Sequence, residues 1–397
     1  MYDFCINGGG MVGSALALGL AQQNYRVALI EPYLPNEFVE GSLPDLRVSA
    51  ISDASVELLT SLGAWHYIEQ MRVKPYSGLS VWDSPSHRTD FTASSIDVPQ
   101  LGYFVENRLL QLGCHKALAS YDNVTWFTGS GVKHLALNES SGENCPVVVT
   151  LNNGVSVEAR WLVGADGAAS QVRLAANIGI SGWQYAQQAM GITVEMAKPV
   201  DAVTWQQFTP AGPRAFLPMF NNYASLVWYD SADVLNELNG LNNQQLKQRI
   251  ISAFPDELIQ NDNDFEIIEK AIFPLTRSHA SSYVSGSVIL IGDAAHTINP
   301  LAGQGVNLGF KDVACLLGIT NNNRSLDIRA FGDALLNDYE KPRKRDNLLM
   351  MSAMDGFYHL FSNDIAPVKW IRNQLLSVAQ HFEPAKREVL KYAIGMR

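Results

Sequence analysis

The opening segment, residues 2–32, constrains the fold more than any other part of the chain. It reads as a strand over 2–7, a turn over 8–13, a helix over 12–23 and a second strand over 26–30, closed by Glu31 and stopped by Pro32. Within the turn, Gly8-x-Gly10-x-x-Gly13 has the spacing of a dinucleotide fingerprint. The first glycine turns the chain, the second lets a pyrophosphate approach the backbone, and the third lets helix and strand pack closely. The helix N-terminus then offers N–H donors to the phosphates. Gly8, Gly10, Met11, Val12 and Gly13 are therefore candidate cofactor-binding positions, with Glu31 placed to accept hydrogen bonds from ribose hydroxyls. A carboxylate there disfavours a 2′-phosphate, which leaves NAD or FAD open at this motif.

No charge occurs from Phe4 to Tyr25, a length that can cross a bilayer as a helix. Asn7, Gln22, Gln23, Asn24 and the Gly8-Gly9-Gly10 break speak instead for a buried strand, turn and helix. The 397 residues favour roughly two to three domains, or one large domain with insertions. A net charge of −10 would repel a phosphate backbone, so nucleic acid is not an expected partner. Cys5, Cys114, Cys145 and Cys315 are scattered, with no CxxC and no paired histidines, so neither a metal site nor a disulfide framework is expected. With no export signal after Met1, a reducing, cytoplasmic compartment is the expectation.

Further along, residues 52–62 have helical spacing and place Arg47 on a polar loop before a helix, where a plain surface arginine is the alternative. Strands are expected at 79–83 and 89–92 and a helix at 109–120. Asn153-Gly154 marks a hairpin between strands at 147–151 and 155–163. Residues 182–280 read as an inserted β-rich unit with one polar helix near 242–253. Its aromatics, including Trp183, Tyr185, Trp205, Phe216, Trp228 and Tyr229, suit either an aromatic-substrate pocket or simple core packing. The grammar returns to α/β with a strand at 287–291, Gly292-Asp293, and Gly303-Gln304-Gly305 before a helix through Asn307, Asp312 and Leu317. Asn321-Asn322-Asn323 reads as a loop.

Three motifs taken together are more specific than any alone: Gly8-x-Gly10-x-x-Gly13 with Glu31; Gly164-Ala165-Asp166-Gly167-Ala168-Ala169-Ser170-Gln171-Val172-Arg173; and Gly292-Asp293-Ala294-Ala295-His296. In order and spacing the chain resembles the single-component FAD-dependent aromatic hydroxylases. The run from Asn299-Pro300-Leu301-Ala302-Gly303-Gln304-Gly305 to Asp312 is similar to the signature of the ubiquinone-biosynthesis hydroxylases within that family. Asn299 replaces the usual histidine. With the segments 204–210, 212–218 and 224–230, this resembles the branch acting on 2-polyprenyl-3-methyl-6-methoxy-1,4-benzoquinol, a demethoxyubiquinol.

The resemblance implies an α/β fold: a Rossmann-like FAD-binding domain of the para-hydroxybenzoate hydroxylase type, with an inserted β-rich substrate domain and C-terminal helices. The expected division is 1–70, 101–181 and 281–340 for FAD, 71–100 and 182–280 for substrate, and 341–397 for the helical end. It implies non-covalent FAD, with NAD(P)H and O2 as co-substrates and a flavin C4a-hydroperoxide delivering one oxygen to a quinol ring. By motif matching it assigns Arg47, Asp166, Gly167, Gly292 and Asp293 to the cofactor, with Pro300, Leu301, Ala302, Gly303, Gln304, Gly305 and Asn307 around the flavin edge. His296 and Pro300 are the catalytic candidates, His296 having loop orientation as its alternative role. Asp166 as a turn former and Asp293 as a helix cap are the structural alternatives. Hydroxylation of another ubiquinone precursor or aromatic, and a flavin-binding quinone carrier without turnover, remain the functional ones.

Residues 341–397 carry ten basic and five acidic side chains on an otherwise acidic chain. Val368, Ile371, Leu375, Val378 and Phe382 share a helical face flanked by Lys369 and Arg372, which fits a docked helix or contact with an anionic membrane surface. A polyprenyl quinol resides in the bilayer, so peripheral membrane contact and a ubiquinone-biosynthesis protein complex are the expected partnerships.

Overall fold

The computed structural model describes residues 1–84, 88–137, 147–260, 264–298, 305–323 and 327–361. The chain opens with β1 (Tyr2–Asn7), α1 (Met11–Gln22), β2 (Val27–Glu31), β3 (Val48–Ile51), α2 (Asp53–Ser61), α3 (Trp65–Met71), β4 (Lys74–Tyr76), β5 (Gly78–Trp82) and β6 (Arg88–Thr92). It continues through β7 (Gly102–Glu106), α4 (Asn107–Leu118), β8 (Val124–Thr128), β9 (Val132–Ala136), β10 (Val147–Leu151), β11 (Ser156–Gly164) and α5 (Gln171–Ala175). Then follow β12 (Ile180–Met196), β13 (Val203–Gln207), β14 (Arg214–Pro218), β15 (Tyr223–Ser231), α6 (Ala232–Gly240), α7 (Asn243–Ala253) and β16 (Phe265–Ala280). Last come β17 (Val284–Ser285), β18 (Val288–Leu290), β19 (His296–Thr297), α8 (Gly305–Asn322), α9 (Ile328–Ala334) and α10 (Lys341–Phe361).

The first sheet has the order β18-β11-β1-β2-β8, all parallel, extended by antiparallel β17 at one edge and by the β10 and β9 ladder on β11. Its central strands are buried on both faces, so they read as continuous apolar runs such as Val27-Ala28-Leu29-Ile30. Helix α8 lies against α1, where a Cβ on Gly19 would meet the Leu317 side chain at 2.3 Å. The second sheet runs β19-β16-β12-β15-β14-β13-β5-β6, and a small third sheet, β3-β7-β4, sits beside it.

Alternation divides the faces of the second sheet. Met190, Ile192, Trp205, Phe216 and Trp228 point to α6 and α7 and form a core with Leu235 and Leu246. Tyr185, Ala189, Tyr229 and Leu275 form a separate cluster on the opposite face. The aromatics of this region thus divide between the two faces of the sheet, with Trp183 exposed.

Three expectations change. A four-residue strand, β3, stands between Arg47 and α2, so Arg47 enters a strand. Two helices, α6 and α7, interrupt the substrate sheet where one was expected. Ser231 caps α6, and Asn242 with Gln245 forms a capping box on α7. Asn321 and Asn322 continue the last turn of α8, with Asn323 N–H bonding Ile319 O at 3.0 Å. Among the described residues no helix is long and apolar enough to cross a membrane. Cys145, Asn299 to Gln304 and the tail positions from Val368 to Phe382 lie outside the described residues.

Candidate functional site

The end of β1 shapes the first wall. Gly8 has φ +108°, and a Cβ there would lie 2.3 Å from the Ala165 carbonyl oxygen. The glycine loop is thereby pressed onto the turn that follows β11. A Cβ on Gly10 would meet nothing within 4 Å, so this position opens outward. No side chain caps α1 and no acid occupies its first turn, which leaves its first N–H groups for an anion. Behind the loop, the Gly9 carbonyl accepts from Ser14 Oγ at 2.6 Å, Gln111 Nε2 at 3.0 Å and His115 Nε2 at 2.8 Å. Burial lowers the His115 pKa against the opposing pull of Gly9, Glu31 and Glu37, and the ring nitrogen facing a carbonyl carries the proton. Glu31 closes β2 with Oε2 accepting from Gly9 N–H at 2.9 Å and Oε1 from Tyr33 N–H at 3.0 Å.

Asp166 holds the second turn. Its carboxylate accepts from Asn7 Nδ2 at 3.0 Å, from the N–H groups of Gln171 and Val172 at 2.8 and 3.2 Å, and from Ser170 Oγ. Both oxygens are engaged by the protein, tying β1 to the first turn of α5. Gly167, at φ +78° with open space at its Cβ position, leaves that turn accessible. Arg173, buried, donates to Ala294 O at 2.9 Å and Ala168 O at 2.7 Å, linking the second turn to the third.

The third turn follows β18. Gly292 has φ +57°, and its Cβ position lies 3.5 Å from Val12 on α1. A Cβ on Gly309 of α8 would meet Val12 at 2.6 Å, so the starts of α1 and α8 converge with Gly292. Asp293 is open to solvent yet closely surrounded by protein. Desolvation raises its carboxyl pKa against the opposing pull of His296 and Arg47. A carboxylate open to solvent at this turn can accept hydrogen bonds from hydroxyls such as those of a ribityl chain.

Other assigned residues serve the scaffold. Asn307 is buried, accepting from Ser52 N–H at 3.0 Å and Ser55 Oγ at 2.8 Å and donating to Ala50 O at 2.8 Å, so its amide binds α8 to β3 and α2. His296 is only 2% exposed, with Nε2 2.6 Å from Asp312 Oδ2, so it lies behind the turn and acts on it through Asp312. Arg173 and Asp312, which the motifs contain but to which sequence reasoning gave no role, and Gln111, which it did not name, hold the three turns in place.

The substrate sheet supplies the facing wall. Arg47 stands 5.5 Å from the centre of the Phe273 ring. A Cβ on Gly191 would touch that ring at 3.3 Å and Leu46 at 3.7 Å. Register places Ala215, Val227, Gly191 and Ala271 side by side across four strands, a row of small side chains flanked by Tyr229 and Phe273. Met354 of α10 packs against the cluster of Tyr185, Ala189, Tyr229 and Leu275. The polar glycine turns thus meet, at Arg47, the sheet face that carries Phe273 and this row of small side chains. The outward Gly10, the uncapped α1 and the solvent-open Asp293 fit a dinucleotide carrying a hydroxylated chain.

A family model described as "FAD binding domain" matches residues 1–344. The chain is 44% identical over 394 residues to the 3-demethoxyubiquinol 3-hydroxylase of Escherichia coli, covering 99% of this chain and 98% of that protein. It is 35% identical over 393 residues to the ubiquinone hydroxylase UbiL of Rhodospirillum rubrum, covering 99% and 89%. Among solved structures, the p-nitrophenol 4-monooxygenase PnpA of Pseudomonas putida superposes with a TM-score of 0.80 at 17% identity, covering 99% of this chain and 98% of that one.

Proposed function

The chain belongs to the FAD-binding-domain family, and from that premise we propose that it hydroxylates the ring of a demethoxyubiquinol, a polyprenyl benzoquinol, in ubiquinone biosynthesis. The observation that carries this reading is the 44% identity, over nearly the full length of both chains, to an enzyme named for that reaction. Bound FAD supplies electron storage from NAD(P)H and activation of dioxygen, the chemistry for which side chains are poorly equipped.

The residues bind, orient and keep water out. The Gly8–Gly13 loop and the N–H groups of α1 would hold the pyrophosphate, Glu31 the adenosine ribose and Asp293 the ribityl hydroxyls. Arg47 stands between Asp293 and Phe273, at the seam where cofactor and substrate walls meet. Across the seam Ala189, Tyr229, Leu275 and Phe273 form an apolar face suited to a ring and to exclusion of water. Supplied with NAD(P)H, 18O2 and a short-chain demethoxyubiquinol, the purified protein is expected to be yellow and to place one labelled oxygen in the quinol. Bound flavin with unlabelled quinol would favour a carrier.

A polyprenyl substrate resides in lipid, and we propose peripheral contact with an anionic membrane as the route to it, with the basic residues 341–397 contributing. Sedimentation with vesicles is expected to retain the protein at least several-fold better on anionic than on neutral lipid. Equal retention on both, or no change after removal of residues 364–397, would rule this out.

A further inference from the structure

Asp312 is fully buried on α8, and its carboxylate gathers donors from three elements: Gly292 N–H at 3.0 Å, His296 Nε2 at 2.6 Å and Arg343 Nε at 2.8 Å. Burial raises the Asp312 carboxyl pKa, but His296 and Arg343 outweigh it and hold the group below the usual carboxylate range. Asp312 therefore stays ionised and grips the residue immediately before Asp293.

Arg343 lies on α10 and is 4% exposed. Its remaining nitrogens reach Leu308 O at 3.3 Å, Asn347 Oδ1 at 2.8 Å and Asp346 Oδ2 at 3.2 Å. Asn347 Nδ2 then donates to Tyr283 OH at 3.1 Å, which is 2.9 Å from His279 Nε2. Burial, with His296, Lys344 and Arg277 nearby, pushes His279 down to about 4. The neutral ring accepts a hydrogen bond from Tyr283 OH, so the donors run in one direction from Arg343 to β16. The turn itself joins the same strand, since Ala280 N–H bonds Ala295 O at 2.8 Å.

Helix α10 reaches the other wall as well. Twelve residues beyond Arg343, about 18 Å along a helix, Asp355 pairs with Arg277 Nε at 2.8 Å and accepts from Tyr185 OH. Both partners belong to the substrate sheet, at β16 and β12.

We propose that Arg343 is a positioning residue for the flavin: through Asp312 it fixes the Gly292–Asp293 turn, and α10 registers that turn against the substrate sheet through Asp355. The inference rests on the flavin reading and not on the identity of the ring substrate. A lysine at 343 keeps the charge but lacks the planar fork that serves Asp312, Leu308 and Asn347 at once.

The test uses the full-length protein stripped of FAD and titrated with FAD alone. Arg343→Gln is expected to weaken FAD binding by about 10- to 100-fold and to shift the visible spectrum and midpoint potential of the bound flavin. Arg343→Lys is expected to fall between that variant and wild type on all three readouts. In a second step a quinol analogue is added to the FAD-loaded proteins: Asp355→Asn is expected to keep FAD affinity within about twofold but to lose the spectral change that the analogue induces in wild type, and an undiminished change would overturn the role of Asp355. Unchanged affinity, spectrum and potential in Arg343→Gln and Arg343→Lys would overturn the proposal. Arg343→Lys decides alone if Arg343→Gln does not fold. A wild-type protein that takes up no FAD would overturn the flavin reading along with it.

Discussion

Gly13→Ala is expected to give a colourless protein of reduced stability. The added Cβ would lie 1.9 Å from the Gly8 carbonyl oxygen and 3.0 Å from the Ala165 Cβ. Neither neighbour is the loose end of a flexible side chain. Gly8 cannot retreat, because its own Cβ position is already within 2.3 Å of Ala165 O. Relief requires α1 to move off β1, an overpacking strain of about 1–3 kcal/mol. The same movement draws the α1 N–H groups away from the phosphates, so FAD affinity should fall by at least about 100-fold. Flavin absorbance of the purified variant and its denaturant midpoint measure the two effects. A yellow variant with an unchanged midpoint would contradict this packing.

Asp293→Asn is expected to separate affinity from stability. Losing the charged acceptor should weaken FAD binding by about 100-fold, the equivalent of one strong or two modest charge-assisted hydrogen bonds. Stability without cofactor should move the other way. The folded-state pKa of Asp293 is raised, first by desolvation. The stability linked to this carboxyl is therefore fully present below its unfolded pKa and is lost as pH rises through the folded value. As the pH rises through that value the wild-type apoprotein takes on a carboxylate charge that the protein packed around it disfavours, and the amide variant does not. Melting of the two apoproteins should favour Asp293→Asn at pH 7, with the gap closing as the pH falls below the ordinary carboxylate range. A gap that widens towards acid would refute the sign.

What could be read from the sequence was whatever backbone geometry dictates locally. Gly8 and Gly292 occupy positive φ, and Gly13 stands where only a hydrogen fits, so residue type and position are tied. Glu31 was legible because the strand ahead of it is a continuous buried run ending at a proline. The network behind the cofactor turn was not legible. Asp312 and Arg343 lie on different helices, and the pairing that makes them functional depends on how α8 and α10 pack. Arg173 stood inside a recognised motif, yet its bond to Ala294 is created only when β11 and β18 become neighbours. Strand β3 escaped notice because Val48-Ser49-Ala50-Ile51 is too short to show a period, and its identity comes from pairing with β7. Helix α6 escaped because Ala232-Asp233-Val234-Leu235-Asn236-Glu237-Leu238-Asn239-Gly240 spans little more than two turns and buries only Leu235 and Leu238, too few positions to show a period.

The link from Asp312 to Arg343 also sets an order of assembly. β1 finds β2 close by, but its other neighbour is β11, with Phe4 opposite Trp161, and β18 joins only at Val288. A ribosome delivering about 5–20 residues per second exposes the glycine loop at once and reaches Arg343 only tens of seconds later. For most of synthesis the phosphate-binding loop is half a site without its counterpart. Cofactor uptake by the nascent chain is thus expected to wait until α10 has emerged and Arg343 can reach Asp312.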